Sequence, residues 1–90
     1  MRNKNEVVMD RQEIMERINV IFRDVFDDDT LVIVDSTNAE DIEDWDSLEH
    51  INLIMAMEKD FDLKFNLKEV GELDNVGEMA DLIERKLKEK

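Results

Sequence analysis

The chain has 90 residues with no cysteine and no proline, and its 25 acidic residues against 12 basic ones leave a formal net charge of −13. A chain this short forms one domain and buries only about 60–65% of the surface its unfolded form exposes, which argues against a deep catalytic cleft; without cysteine, disulfides, thiol catalysis and thiolate metal sites are excluded. The charge repels nucleic-acid phosphates and anionic headgroups and favours basic partners, although solubility alone also accounts for it.

Residues 1–9 lack the apolar stretch of a secretory signal and read as a flexible leader to a domain of residues 10–90. The first helix is expected from about Asp10 to Phe26, where Ile14, Ile18, Ile21, Phe22 and Val25 recur at helical spacing and Asp10 with Glu13 forms a capping-box pattern. From Asp27 to Asp46 the period dissolves. A connection of about 20 residues is uncommon in a compact domain and is usually functional. Its apolar members Val32, Val34 and Ile42 are expected to pin it across the helices; a lone strand over Leu31–Val34 would have no partner strand.

A second helix is expected from Asp46–Ser47 to about Phe61, with Asp46 as N-cap and Glu49 completing a capping box. A short third helix fits Leu67 to Leu73, ending near Gly71. The last helix runs from about Asn75 to Leu87, with Val76, Met79, Ala80, Ile83 and Leu87 on one face and lysines at its negative pole. The fold class is therefore all-α, a bundle of three long helices and one short one with a long loop between the first two. No run reaches the ~18 apolar residues needed to span a bilayer, so a soluble, cytoplasmic monomer without membrane insertion is expected.

The second helix carries two apolar stripes. Leu53, Ile54, Met57 and Phe61 form one, and Leu48, Ile51 and Met55 form another roughly 130° away at about 100° per residue. A helix in a small bundle rarely buries that much of its circumference. Either the long loop hides the second stripe, or it faces outward as a docking strip edged by Glu49, Glu58 and Asp60.

Ser47 lies in the first turn, where unpaired N–H groups and the helix dipole suit an anion such as a phosphate ester; a plain first-turn residue is the simpler alternative. Asp46, Ser47 and His50 do not make a hydrolase triad, since there is no Gly-x-Ser-x-Gly elbow and one helix turn cannot orient the base and supply an oxyanion hole. His50, the single histidine, reads as a partly buried structural residue or as a group at the mouth of a pocket. The acidic loop lacks the glycine that an EF-hand requires at its sixth position, so no metal site is expected.

The stretch Asp44-Trp45-Asp46-Ser47-Leu48-Glu49-His50-Ile51-Asn52-Leu53-Ile54-Met55-Ala56-Met57-Glu58 resembles the acyl carrier protein family, by its Asp-Ser-Leu signature and the helix ending Met-Glu-x-x-Phe. The resemblance runs from about Asp10 to Leu87, and motif, helix order, loop length and acidity agree. It implies a carrier that is not itself an enzyme. A phosphopantetheinyl transferase would move 4′-phosphopantetheine from coenzyme A to the Ser47 hydroxyl, and the arm's thiol would carry acyl groups to loading and processing enzymes with basic docking patches.

The same resemblance implies that Asp46, Leu48, Ile51, Met55 and Glu58 meet partners. It implies an acyl pocket at the bundle interior involving His50, Ile54, Met57, Phe61, Phe65, Leu73 and Met79. Trp45, where housekeeping fatty-acid carriers usually have a small residue, and Asn52, where they commonly have an acid, point to a specialised fatty-acid, polyketide or other acyl pathway. The absence of a Gly-Gly pair before the serine argues against a nonribosomal peptidyl carrier. An aminoacyl or D-alanyl carrier and a non-covalent acidic helical interaction module are the competing readings.

Overall fold

A computed structural model describes residues 9–89, and these form four helices and no strand. They are α1 (Arg11–Val25), α2 (Ser47–Phe61), α3 (Leu67–Gly71) and α4 (Val76–Glu89). Of the expected leader only Met9 lies among the described residues, where it packs half-buried on the core. The helix limits follow local chemistry. Asp10 accepts from the Glu13 N–H at 2.9 Å while Glu13 accepts from the Asp10 N–H at 3.2 Å, closing the box that starts α1. Asn66 and Glu69 do the same for α3, at 2.8 and 3.0 Å. Asp62 ends α2 in the left-handed conformation, which aspartate tolerates better than most residues.

The core is the meeting of three helical stripes. Ile14, Ile18 and Phe22 of α1, Leu53 and Met57 of α2, and Val76, Met79 and Ile83 of α4 are all sealed from solvent, with α1 packed against both α2 and α4. Each such side chain contributes about 1.5–3 kcal/mol of burial against the entropy of ordering the chain. No helix among the described residues is long and apolar enough to cross a membrane.

The long loop corrects the sequence reading. Val32 and Val34, expected to face inward, are 74% and 51% exposed, while Ile33 between them is 4% exposed and sits in the core with Ile42. The physical reason is Asn19 on α1. Its side chain accepts from the Ile33 N–H at 2.7 Å and donates to the Ile33 carbonyl at 3.0 Å, and Arg23 donates to the Leu31 carbonyl at 2.7 Å. These bonds fix the extended segment in the opposite parity, since a shift of one residue exchanges inside for outside.

Farther along, the loop completes the start of α4. The Val76 and Gly77 N–H groups donate to the carbonyls of Thr37 and Asp35, both at 2.8 Å. Gly77 suits that approach, because a Cβ there would lie 3.1 Å from the Asp35 carbonyl oxygen, tighter than ordinary van der Waals contact. Arg11 fastens the junction by donating to Asp35 at 2.9 Å, to the Gly77 carbonyl at 3.1 Å and to Asp81. The loop thus holds α1 and α4 together and leaves the N-terminus of α2 open to one side.

Candidate functional site

Asp46 caps α2 by accepting from the Glu49 N–H at 2.9 Å, and the His50 N–H takes the Asp46 carbonyl, also at 2.9 Å. The expected capping box is only half formed. The Glu49 carboxylate does not return to the Asp46 N–H; it accepts from the Asn52 side chain at 2.8 Å, and the Asp46 N–H donates to the Asp44 carbonyl at 3.0 Å. The N–H groups of Ser47 and Leu48 therefore have no partner among the described residues. Ser47, the first residue of α2, is exposed. A serine oxygen here sits at the positive pole of a 15-residue helix beside two unused donors, a setting that stabilises an attached phosphate.

Ser47 lies on the rim of a cleft of about 490 Å³. Trp45, His50, Ile51, Leu73 and Met79 line it, together with Asp46, Asp74 and Asn75. A second crevice of about 200 Å³ runs between α2 and α3, lined by Ile54, Met55, Phe65, Leu67 and Val70 with Glu58 at its side. His50 and Ile51 border both.

The pocket residues expected from the sequence are thereby distributed. His50, Leu73 and Met79 are on the cleft, and Ile54 and Phe65 on the crevice. Met57 and Phe61 line neither and are closed into the core.

His50 is held at both ring nitrogens. Nδ1 accepts from the Trp45 Nε1–H at 3.2 Å, and Nε2 lies 3.3 Å from the Val70 carbonyl oxygen. An indole N–H only donates and a carbonyl only accepts, so this geometry selects the neutral tautomer with its proton on Nε2. The Trp45 ring stacks on His50 at 6.0 Å and meets Phe22 edge-on at 5.2 Å, which anchors the pair to the core. Val70 and this two-sided hold on His50 had no signal in the sequence, because the partner carbonyl belongs to backbone 20 residues away.

On the outer face of α2, Leu48, Ile51 and Met55 are 66%, 55% and 59% exposed, and the loop does not cover them. Leu67 at the start of α3, exposed more fully still, extends this strip across the α2–α3 crevice, a continuation that the α2 periodicity alone did not indicate. Glu49 and Asp60 stand beside it on α2, but Asp60 is engaged by Arg17 of α1. Glu58 accepts from the Phe65 N–H at 2.8 Å and so also orders the α2–α3 turn. Among the described residues no cluster of histidines, cysteines and carboxylates is arranged to hold a metal ion.

Comparison with known proteins gives two close likenesses. The acyl carrier protein of Thermosynechococcus vestitus is 32% identical over 80 residues, which span 88% of this chain and 98% of that protein. The solution structure of a holo acyl carrier protein from Geobacter metallireducens superposes with a TM-score of 0.80 at 46% identity, covering 84% of this chain and 87% of that one. No family model matches the sequence.

Proposed function

The chain belongs to the acyl carrier protein family, and from that premise we propose that Ser47 carries a 4′-phosphopantetheine arm drawn from coenzyme A. Such a protein is a carrier and not an enzyme, and the bond-making belongs to its partners. A phosphopantetheinyl transferase joins the Ser47 oxygen to phosphorus as the pyrophosphate bond of coenzyme A breaks and the nucleotide half leaves with the electron pair. The hydroxyl proton passes to a base on the transferase. Once attached, the arm supplies a thiol that activates acyl groups as thioesters and keeps them at high effective concentration near each partner.

The observation that carries this reading is the N-terminus of α2. Ser47 is exposed beside the unused N–H groups of Ser47 and Leu48, and the cleft next to it has room for part of a chain-like group. Asp46, the nearest carboxylate, points its side chain at the Glu49 N–H, which offsets its repulsion toward a phosphodiester. The residues present fit the group. Leu48, Ile51, Met55 and Leu67 serve as the apolar centre of a partner contact, and Asp46, Glu49 and Glu58 as the acidic rim that steers a basic surface toward it. The partners are the transferase and the loading and processing enzymes of a fatty-acid, polyketide or other acyl pathway.

The test is intact-mass spectrometry after incubation with coenzyme A, magnesium and a promiscuous phosphopantetheinyl transferase. Wild type is expected to gain one phosphopantetheine and Ser47→Ala none. A folded wild type that is unmodified at the outset and gains nothing contradicts the proposal.

A further inference from the structure

The chain has 6 methionines, and the fold treats them unequally. Met57 and Met79 are sealed from solvent, and Met9 and Met15 are partly buried against the core. Met55 is 59% exposed, the most open methionine among the described residues, and it stands outside the packed cluster. Two positions of helix, about 200° of rotation, separate it from Met57. An oxidant arriving from water therefore meets this thioether well ahead of the two sealed ones, and a change of polarity there leaves the core intact.

The position of Met55 gives that chemistry a consequence. It shares the outer face of α2 with Leu48 and Ile51, and it lines the α2–α3 crevice with Ile54, Phe65, Leu67 and Val70. A sulfoxide oxygen would add a strong acceptor to a strip whose side chains at Leu48, Ile51 and Leu67 offer it no donor. A partner that covers this strip would have to remove water from the sulfoxide without replacing its hydrogen bonds.

We propose that Met55 is a site of reversible oxidation, at which a peroxide converts the thioether to a sulfoxide and thereby weakens docking of the enzymes that use the strip. The proposal rests on the carrier reading and adds a redox input to the same surface. Sδ gains one oxygen as the O–O bond of hydrogen peroxide breaks; sulfur gives up two electrons to the peroxide, whose other oxygen leaves as water. Methionine sulfoxide reductases, one for each epimer, catalyse the return. A dithiol then supplies two electrons and becomes a disulfide, and the sulfoxide oxygen leaves as water.

The experiment treats the protein, before modification of Ser47, with dilute hydrogen peroxide, removes the peroxide, and follows each methionine by peptide mapping. Met55 is expected to oxidise on the order of tenfold faster than Met57 and Met79. The kcat/KM for transfer of phosphopantetheine from coenzyme A to Ser47 is then compared for untreated, oxidised and reductase-treated protein. It is expected to fall about tenfold on oxidation and to recover with both reductases and dithiothreitol, while circular dichroism stays unchanged. Met55→Gln, polar and of similar length, shows the loss without peroxide. Met55→Leu, compared with itself before and after treatment, shows no response.

Oxidation of Met57 or Met79 as fast as Met55 overturns the proposal. So does a fully oxidised Met55 in a protein still modified at the untreated rate, a loss of rate accompanied by unfolding, or a Met55→Leu protein that peroxide still slows. Each of these leaves the carrier reading intact, because the untreated protein still takes the arm at Ser47. An untreated, folded protein that takes no phosphopantetheine overturns both.

Discussion

Replacing Asn19 with alanine isolates the interaction that sets the register of the long loop. The asparagine accepts from the Ile33 N–H at 2.7 Å and donates to the Ile33 carbonyl at 3.0 Å, beside a side chain only 4% exposed. The two backbone groups left unpaired cost about 1–3 kcal/mol each, toward the lower end here because both bonds are only partly buried, and alanine returns roughly 0.6 kcal/mol in helix propensity, so a net loss of about 1.5–3 kcal/mol is expected. For a domain of this size that lowers Tm by roughly 10–15 °C. Urea unfolding followed by circular dichroism measures the stability, and amide hydrogen exchange at Ile33 reports the local effect. A loss below about 0.5 kcal/mol, with the Ile33 amide protected as in the wild type, would refute the claim that Asn19 decides which valines face outward.

Three further outcomes follow from the same geometry. Gly77→Ala drives a Cβ to 3.1 Å from the Asp35 carbonyl oxygen, and the overpacking exceeds the gain in helix propensity, giving a net loss of about 1 kcal/mol in thermal melts; a rise in Tm contradicts it. Glu69 is held below the usual carboxylate range, first by the Asn66 N–H and then by Lys86. Its folded-state value is lowered, so the tie from α3 to α4 is complete above the ordinary glutamate range and is lost as pH falls through the lower value. An NMR titration of the Asn66 amide should therefore show a midpoint below that of a free glutamate, and a midpoint at or above it contradicts the assignment. Met55→Ala, on a side chain 59% exposed, should leave stability within about 0.5 kcal/mol while lowering kcat/KM for modification by the transferase about tenfold. A change in stability alone would remove the strip from the partner contact.

The helices were legible because their signals are local. Asp10 with Glu13 and the helical recurrence of Ile14, Ile18 and Phe22 are enough to place α1, and the two stripes of α2 separate in the structure into a sealed set and an exposed set. Where the reading failed, the deciding contact came from elsewhere in the chain. The parity of Val32, Ile33 and Val34 is fixed by Asn19, 14 residues before Ile33, so no pattern within the loop contained it. The capping box of α2 lost its second half because Asn52 competes for Glu49. His50, which borders both cavities, is pinned between Trp45 and a backbone carbonyl on α3 20 residues away, so the expected pocket residues could be named but not assigned to one space or the other.

Ser47 as the attachment point is the claim on which the rest depends, and the chain contains its own control. The only other serine, Ser36, also follows an aspartate, but it lies in the loop turn between Val34 and Thr37 and not at a helix N-terminus. Fragmentation of the modified protein by tandem mass spectrometry separates the two positions. Phosphopantetheine found on the peptide at Ser47, with Ser36 unmodified, is the predicted result. An adduct on Ser36, or on any residue other than Ser47, would contradict the account.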